Sequence, residues 1–83
     1  MTRTGANTEN LVQYLVESLV EHPEALKIER TETEGAVSFV ITLDPEDVGK
    51  VIGRGGRIIK SIRTLVRAAG STEGVHVDVD VLG

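Results

Sequence analysis

The residues with the clearest chemical potential are the three glycines of the segment Gly53-Arg54-Gly55-Gly56. Glycines allow the main chain to adopt positive φ angles, and they leave it accessible to a ligand. A helix that begins at Gly56 would direct unpaired N–H groups and the positive end of its dipole towards this loop. Phosphates are the anions that such a place binds most naturally. The segment therefore predicts an anion site built from main-chain amides.

The loop lies within a basic segment, although the whole chain has a net charge of −4. Residues 48–72 carry +6 and the remainder carries −10. Attraction to phosphate is screened within about 8 Å at physiological salt, so a local basic strip can bind a polyanion on an acidic protein. We expect Arg63 and Arg67, further along the helix, to serve solubility. The basic residues expected to contact the polyanion are Lys50, Arg54, Arg57 and Lys60.

Size and composition indicate one small domain. The chain has 83 residues, 40% of them hydrophobic, and no cysteine, which favours a reducing compartment. No apolar run approaches the roughly 20 residues that span a bilayer, and the N-terminus has no apolar signal-peptide core. We expect a flexible tail over residues 1–6, a single domain over 7–83 with its core motif at about 36–82, and a soluble cytoplasmic protein.

The first half of the chain predicts one helix and a β-hairpin. Apolar residues recur with a 3.6-residue period from a cap at Asn7 or Thr8 to about Glu21, where His22-Pro23 ends the helix. Strands are predicted over 27–33 and 36–43. In the second strand, apolar and polar residues alternate, so one face of the sheet is buried and the other stays wet.

The second half predicts two helices and a last strand. Asp44-Pro45 is a strong helix start, and this helix ends at Ile52. The next helix is predicted from Gly56 to Ala69, with Gly70 as the residue after its end. A strand over 75–81 completes an α-β-β-α-α-β order. We expect an α+β fold in which a three-stranded mixed sheet, with the second strand central, carries all three helices on one face.

Other phosphate-binding and catalytic motifs fail. A P-loop counted from Gly49 requires glycine at Arg54, and a dinucleotide-binding fingerprint counted from Gly53 requires glycine at Ile58. No serine, histidine and carboxylate form a recognisable catalytic arrangement, so we expect no enzymatic activity. We also expect no cofactor and no metal. His76 and its strand neighbours Asp78 and Asp80 are interpreted as the wet face of an edge strand, and His22 as a turn residue.

The stretch Val51-Ile52-Gly53-Arg54-Gly55-Gly56-Arg57-Ile58-Ile59 closely resembles the signature of KH domains, and the element order resembles their bacterial, type II variant. So short a chain resembles the KhpA family of small bacterial RNA-binding proteins. The resemblance implies that Gly53 and Gly56 are the glycines of a Gly-x-x-Gly loop that clamps about four nucleotides of single-stranded RNA. It also implies an apolar groove for the bases, with Val48, Val51, Ile52, Ile59 and Val40 as candidates.

The resemblance further implies a homodimer or a complex with a larger protein that carries KH and R3H domains. It implies a role as an RNA chaperone or post-transcriptional regulator linked to the cell envelope and cell length. Several alternatives remain open at this point. The groove candidates could be plain core, and Gly49 could serve close helix packing or leave room for a nucleotide. The fold could also be a dimerisation module that does not bind RNA.

Overall fold

The computed structural model describes residues 6–82, and of Ala6 only the main chain. The predicted tail therefore lies outside the described residues, except for Ala6, which belongs to the first helix. Two short 3-10 turns, Pro23–Ala25 and Arg54–Gly56, interrupt the regular elements. These elements, in chain order, are α1 (Ala6–Glu17), β1 (Lys27–Thr33), β2 (Ala36–Thr42), α2 (Pro45–Ile52), α3 (Arg57–Thr72) and β3 (His76–Leu82).

The sheet has the predicted order and directions, with β2 between β1 and β3. β1 pairs with β2 in antiparallel fashion, and Ile28 lies opposite Ile41. β3 runs parallel to β2, and Val79 lies beside Phe39. Alternate β2 residues are buried, as the pattern predicted. Helices cover that face, and the core consists chiefly of Phe39, Ile41, Val12, Val16, Val37, Val51, Val66 and Val77.

Helix α2 begins as the sequence predicted. The Asp44 side chain accepts a hydrogen bond from the Glu46 N–H at 2.9 Å, and Pro45 occupies the first helical position. Both features satisfy or avoid the unpaired amides of a first turn. The α2 start is therefore fixed by local chemistry. Because α2 leads directly into the glycine loop, this start also sets where the loop emerges.

Helix α1 differs from the prediction at both ends. It begins at Ala6 and ends at Glu17 rather than Glu21. Thr8 does not cap it: this buried hydroxyl donates to Glu73 Oε1 at 2.8 Å. At the other end, the amides of Glu21 and His22 donate to the Asp47 carboxylate at 3.0 and 2.9 Å. In a helix that continued to Glu21, these amides would bond to carbonyls four residues earlier. Here the Asp47 carboxylate accepts them instead.

Helix α3 runs three residues beyond the predicted Ala69, so the prediction that Gly70 follows the end of this helix was wrong. Gly70 is buried within the helix. A Cβ atom there would lie 2.4 Å from Val77 Cγ2 and 2.9 Å from the carbonyl oxygen of Val75. Gly70 is thus needed because β3 packs closely on α3, and Gly74, with φ +71°, provides the left-handed residue after the helix.

No helix within residues 6–82 combines the length and the apolar composition needed to cross a bilayer.

Candidate nucleic-acid interface

The glycine loop joins the end of α2 to the start of α3 through one 3-10 turn. Gly53 ends α2 with φ +76° and ψ 171°, and Gly56 begins α3 in the left-handed conformation with φ +74°. Gly55, between them, has φ +64° and ψ 18°. L-residues pay roughly 1–2 kcal/mol to adopt left-handed conformations. The three glycines therefore let the chain reverse within four residues.

The space around each glycine differs. A Cβ atom on Gly53 would lie 2.6 Å from Ile58 Cγ1, so the Ile58 side chain packs directly against the main chain of the loop. A Cβ atom on Gly55 would meet nothing within 4 Å. Gly53 is therefore required by both conformation and space. Gly55 is required by conformation alone, and its outer side is open to a ligand.

The loop amides divide into those used within the fold and those left over. The N–H of Gly53 donates to Gly49, that of Gly56 to Gly53, and that of Arg57 to Arg54. Within residues 6–82, the amides of Arg54 and Gly55 have no such partner, and α3 has no side-chain cap at its N-terminus. The donors available to an anion are thus Arg54, Gly55 and the first turn of α3.

The basic side chains fall into two groups. Arg54, Arg57 and Lys60 are exposed, and within the described part of the chain none of them makes an ion pair. The cations further along α3 are already engaged. Arg63 donates to the Val79 carbonyl at 3.0 Å, and Arg67 lies 3.6 Å from Asp78. The three cations without an ion pair in the described residues therefore lie in the loop and in the first turn of α3.

Lys50 lies apart from those three. Its Nζ atom is 2.8 Å from Glu21 Oε1 and 3.4 Å from Asp47 Oδ1. The hydrogen bond to Glu21 outweighs the opposing effect of burial and, with Asp47, raises the pKa of the Lys50 ammonium. Lys50 is thus held in place as a cation by two carboxylates, which leaves it less charge to offer a polyanion than the prediction assumed.

The five groove candidates do not lie together. Val51 and Ile59 are buried in the core, whereas Val48 and Ile52 are only partly buried. Val40 points to the other face of the sheet, because its β2 neighbours Phe39 and Ile41 are the ones that pack under the helices. Of the five, only Val48 and Ile52 combine an apolar side chain on the helical side with access to a ligand.

Sequence reasoning missed Ile58, which is 36% exposed. Ile58 and Leu65 belong to the periodic apolar residues of α3, but the structure leaves both outside the core, with Leu65 at 53% exposure. The residues that enter the core are Ile59, Ile62 and Val66. The signal was present in the sequence: the apolar arc of α3 is wider than the surface that one sheet can cover.

Gly49 lies on the exposed side of α2, with open space around it. A Cβ atom on this exposed α2 residue would meet nothing within 4 Å, so close packing against α3 is not the reason for a glycine there. Of the two explanations left open by the sequence, helix packing is excluded. On the open face of the sheet, Glu29 and Asp80 flank Val40 across the three strands, and Asp80 pairs with Arg63 at its edge.

A three-stranded mixed sheet in α-β-β-α-α-β order, with a Gly-x-x-Gly loop between the second and third helices, defines a type II KH domain. The sequence profile of the KhpA/KhpB KH domain matches residues 9–81, and this chain belongs to that family. KH domains of this family are not enzymes, in agreement with the sequence-based expectation.

The chain is similar to several bacterial proteins named RNA-binding protein KhpA. It is 43% identical to that of Oceanobacillus iheyensis over 72 residues, which cover 87% of this chain and 96% of the relative. It is 39% identical to that of Listeria monocytogenes over 74 residues, 89% of this chain and 97% of the relative. The Bacillus subtilis protein is 36% identical over 78 residues, 94% of this chain and 96% of the relative.

Proposed function

We propose that this protein binds single-stranded RNA and grips the phosphate backbone at the loop Gly53–Gly56. The observation that carries this proposal is the coincidence of three unpaired cations with an open glycine turn whose amides at Arg54 and Gly55 have no partner within residues 6–82. The name of its relatives, RNA-binding protein KhpA, supports the same function.

In this proposal, each part of the loop has a separate task. Arg54 and Gly55 offer main-chain N–H donors to phosphate oxygens, and the guanidinium groups of Arg54 and Arg57 add charge-assisted bonds. Lys60, one turn further along α3, attracts the next phosphate as a point charge. Phosphate contacts fix the position of the strand without reading its sequence. The loop therefore supplies affinity rather than base preference.

The bases would lie against apolar side chains rather than aromatic ones. The chain has one Tyr and one Phe, and Phe39 is fully buried. Stacking of the kind used by aromatic platforms is therefore minor. The accessible apolar side chains nearest the loop in sequence are Val48, Ile52 and Ile58, and the bare surface at Gly49 leaves room for a nucleotide beside α2.

A footprint of about four nucleotides gives weak affinity, so we also propose that the domain acts as one module of an assembly. Linking two such sites raises avidity by roughly 10² or more. A homodimer, or a complex with a larger RNA-binding protein carrying KH and R3H domains, would provide the second site. The exposed Leu65 on α3 offers an apolar contact for such a partner. From the family resemblance, we further propose a role as a cytoplasmic RNA chaperone or post-transcriptional regulator.

The salt dependence of RNA binding tests the phosphate grip. Contact with about four phosphates predicts a slope near −3 for log affinity against log salt, at roughly −0.7 per phosphate of a single strand. Fluorescence anisotropy with a labelled single-stranded RNA at several salt concentrations measures this slope. A flat dependence would contradict phosphate clamping. A sizing column run with the same samples tests the alternative hypothesis, a dimerisation module. Such a module would associate with itself but would not bind RNA.

A further inference from the structure

A second group of chemically capable side chains lies at the start of α2, away from the glycine loop. His22 comes from the turn before β1, whereas Asp44 and Glu46 flank the first residue of α2. One ligand atom from each of these three residues lies within 4.8 Å of the other two. The sequence did not indicate this group, because 22 positions separate His22 from Asp44. The fold alone brings an imidazole and two carboxylates together.

We propose that His22, Asp44 and Glu46 form a binding site for a divalent first-row transition-metal ion. Imidazole nitrogen with carboxylate oxygen suits Mn²⁺, Fe²⁺, Ni²⁺ and Zn²⁺, and three protein ligands leave open positions for water. His22 Nε2 already lies 3.2 Å from Glu46 Oε2, a separation that two ligands of one ion can adopt. The Glu46 side chain is 77% exposed, so it can move inward without disturbing the core.

The charge around His22 favours a cation. Glu24, Asp44 and Glu46 make no ion pair with any lysine or arginine among residues 6–82. Asp47, the buried residue that follows Glu46, already binds Lys50 and two main-chain amides. Three carboxylates without a lysine or arginine partner therefore surround one imidazole. A bound metal ion would neutralise more of this charge than the imidazole proton does.

The main chain of the site is already held in place. The His22 N–H donates to Asp47 Oδ2 at 2.9 Å, which ties the His22 segment to α2 one residue after Glu46. Asp44 uses Oδ1 to accept the Glu46 N–H, and its second oxygen remains for a ligand. Two of the three ligand residues, His22 and Asp44, are therefore held in place before an ion binds, so binding costs less conformational entropy than it would in a mobile loop.

The second nitrogen of His22 lies close to an exposed carboxylate. His22 Nδ1 lies 3.6 Å from Glu24 Oε1, just beyond hydrogen-bond distance, and the Glu24 side chain is 74% exposed and free to close this gap. A carboxylate at this nitrogen keeps the proton on Nδ1 and leaves the lone pair of Nε2 for the metal, which also raises the basicity of the ligand. Glu24 is thus a positioning residue, and the proposed ligands are His22 Nε2 and one oxygen each of Asp44 and Glu46.

Calorimetric titration of the full chain with ZnCl₂ tests the site, with MgCl₂ as a comparison ion. We expect one saturable Zn²⁺ site per chain and much weaker Mg²⁺ binding, because Mg²⁺ disfavours imidazole. His22→Gln and Glu46→Gln should each lower Zn²⁺ affinity at least tenfold. His22→Gln keeps the N–H that binds Asp47, and Glu46 is exposed, so both variants should retain the melting temperature of the wild type without metal.

The chain contains a matched control, because it has two histidines and His76 also lies near an acid, 3.6 Å from Asp78 Oδ2. His76→Gln should leave Zn²⁺ affinity unchanged. Mn²⁺ added at substoichiometric amounts to ¹⁵N-labelled protein should broaden amide signals around residues 22–24 and 44–47. Absence of saturable binding, unchanged affinity in His22→Gln, or broadening centred on β3 would overturn the proposal. None of these measurements depends on whether the protein binds RNA.

Discussion

Replacing Arg54 and Gly55 together with aspartate tests the loop without damaging the fold. Arg54 is exposed and makes no ion pair within residues 6–82, so its removal takes no contact from the core. A Cβ atom on Gly55 meets nothing within 4 Å, and only its φ of +64° resists a side chain. Aspartate tolerates this conformation better than most residues, so the fold should lose only about 1 kcal/mol.

The effect on RNA binding follows from the charge change. The double substitution removes one positive charge and adds two negative charges at the loop, a change of −3. In water, a unit charge roughly 6 Å from a phosphate contributes about 0.7 kcal/mol. Three charge units therefore weaken binding by about 2 kcal/mol, or roughly thirtyfold, even at the full dielectric constant of water. Partial exclusion of water from the bound loop makes the loss larger.

Fluorescence anisotropy with a single-stranded RNA measures this loss, and a variant of equal net charge provides the control. Arg67→Asp with Ser71→Asp also changes the charge by −3, on exposed positions of α3. Arg67 lies ten residues after Arg57, about 15 Å along the helix and nearly two Debye lengths from the loop. The control should therefore lose only a fewfold. Equal losses in both variants, or unchanged affinity in the loop variant, would refute the loop mechanism.

Three further substitutions have definite expected outcomes. Gly49→Ala should raise the free energy of unfolding by about 1 kcal/mol in urea denaturation, because alanine favours a helix and the new methyl group meets no protein atom. The same methyl group should lower RNA affinity, because it fills the space proposed for a nucleotide. Unchanged affinity would show that no nucleotide lies there. Gly70→Ala should lower stability by roughly 1–3 kcal/mol, since its Cβ would overlap Val77. Burial alone would raise the pKa of Asp47, but hydrogen bonds from Glu21, His22 and Lys50 lower it. The Asp47 carboxylate therefore stabilises the fold at pH values above its unfolded pKa of 3.8, and this stabilisation is lost as the pH falls through its folded pKa. In thermal melting experiments at acid pH, Asp47→Asn should remove this loss.

The features that the sequence predicted well are those that local chemistry determines. The Asp44-Pro45 start of α2, the alternation in β2 and the glycine loop each depend on residues a few positions apart. The sheet order followed from them, because the β1–β2 hairpin and a long helical crossover permit few arrangements. The location of the loop between two helices was therefore accessible without coordinates.

The features that the sequence did not reveal depend on distant partners. Helix α1 stops short of Glu21, whose amide instead donates to Asp47, 26 positions further along the chain. The buried carboxylate also holds Lys50, which looked like a free cation in the sequence. Gly70 matched the pattern of a helix end, but its reason is the close approach of β3. In each case a tertiary contact replaced the explanation that local rules favoured.

The division of cations within the basic segment is the clearest result of the structure for function. The sequence showed six basic residues and separated Arg63 and Arg67 from the rest by their position along the helix, but it counted Lys50 among the contacting cations. Ion pairs to Glu21 and Asp47 engage Lys50, and those to β3 engage Arg63 and Arg67. Apart from Asp47, each of these acids lies 11 or more positions away from its cation, and their approach depends on the completed fold.

Chemical-shift mapping of the ¹⁵N-labelled protein with a short single-stranded RNA tests the central proposal most directly. We predict the largest shifts at the amides of Arg54, Gly55 and the first turn of α3, where donors without a partner meet the unpaired cations. Residues of the open sheet face, such as Glu29 and Asp80, should not shift. Shifts concentrated on that face, or a loop whose amides remain unchanged at saturating RNA, would contradict the account.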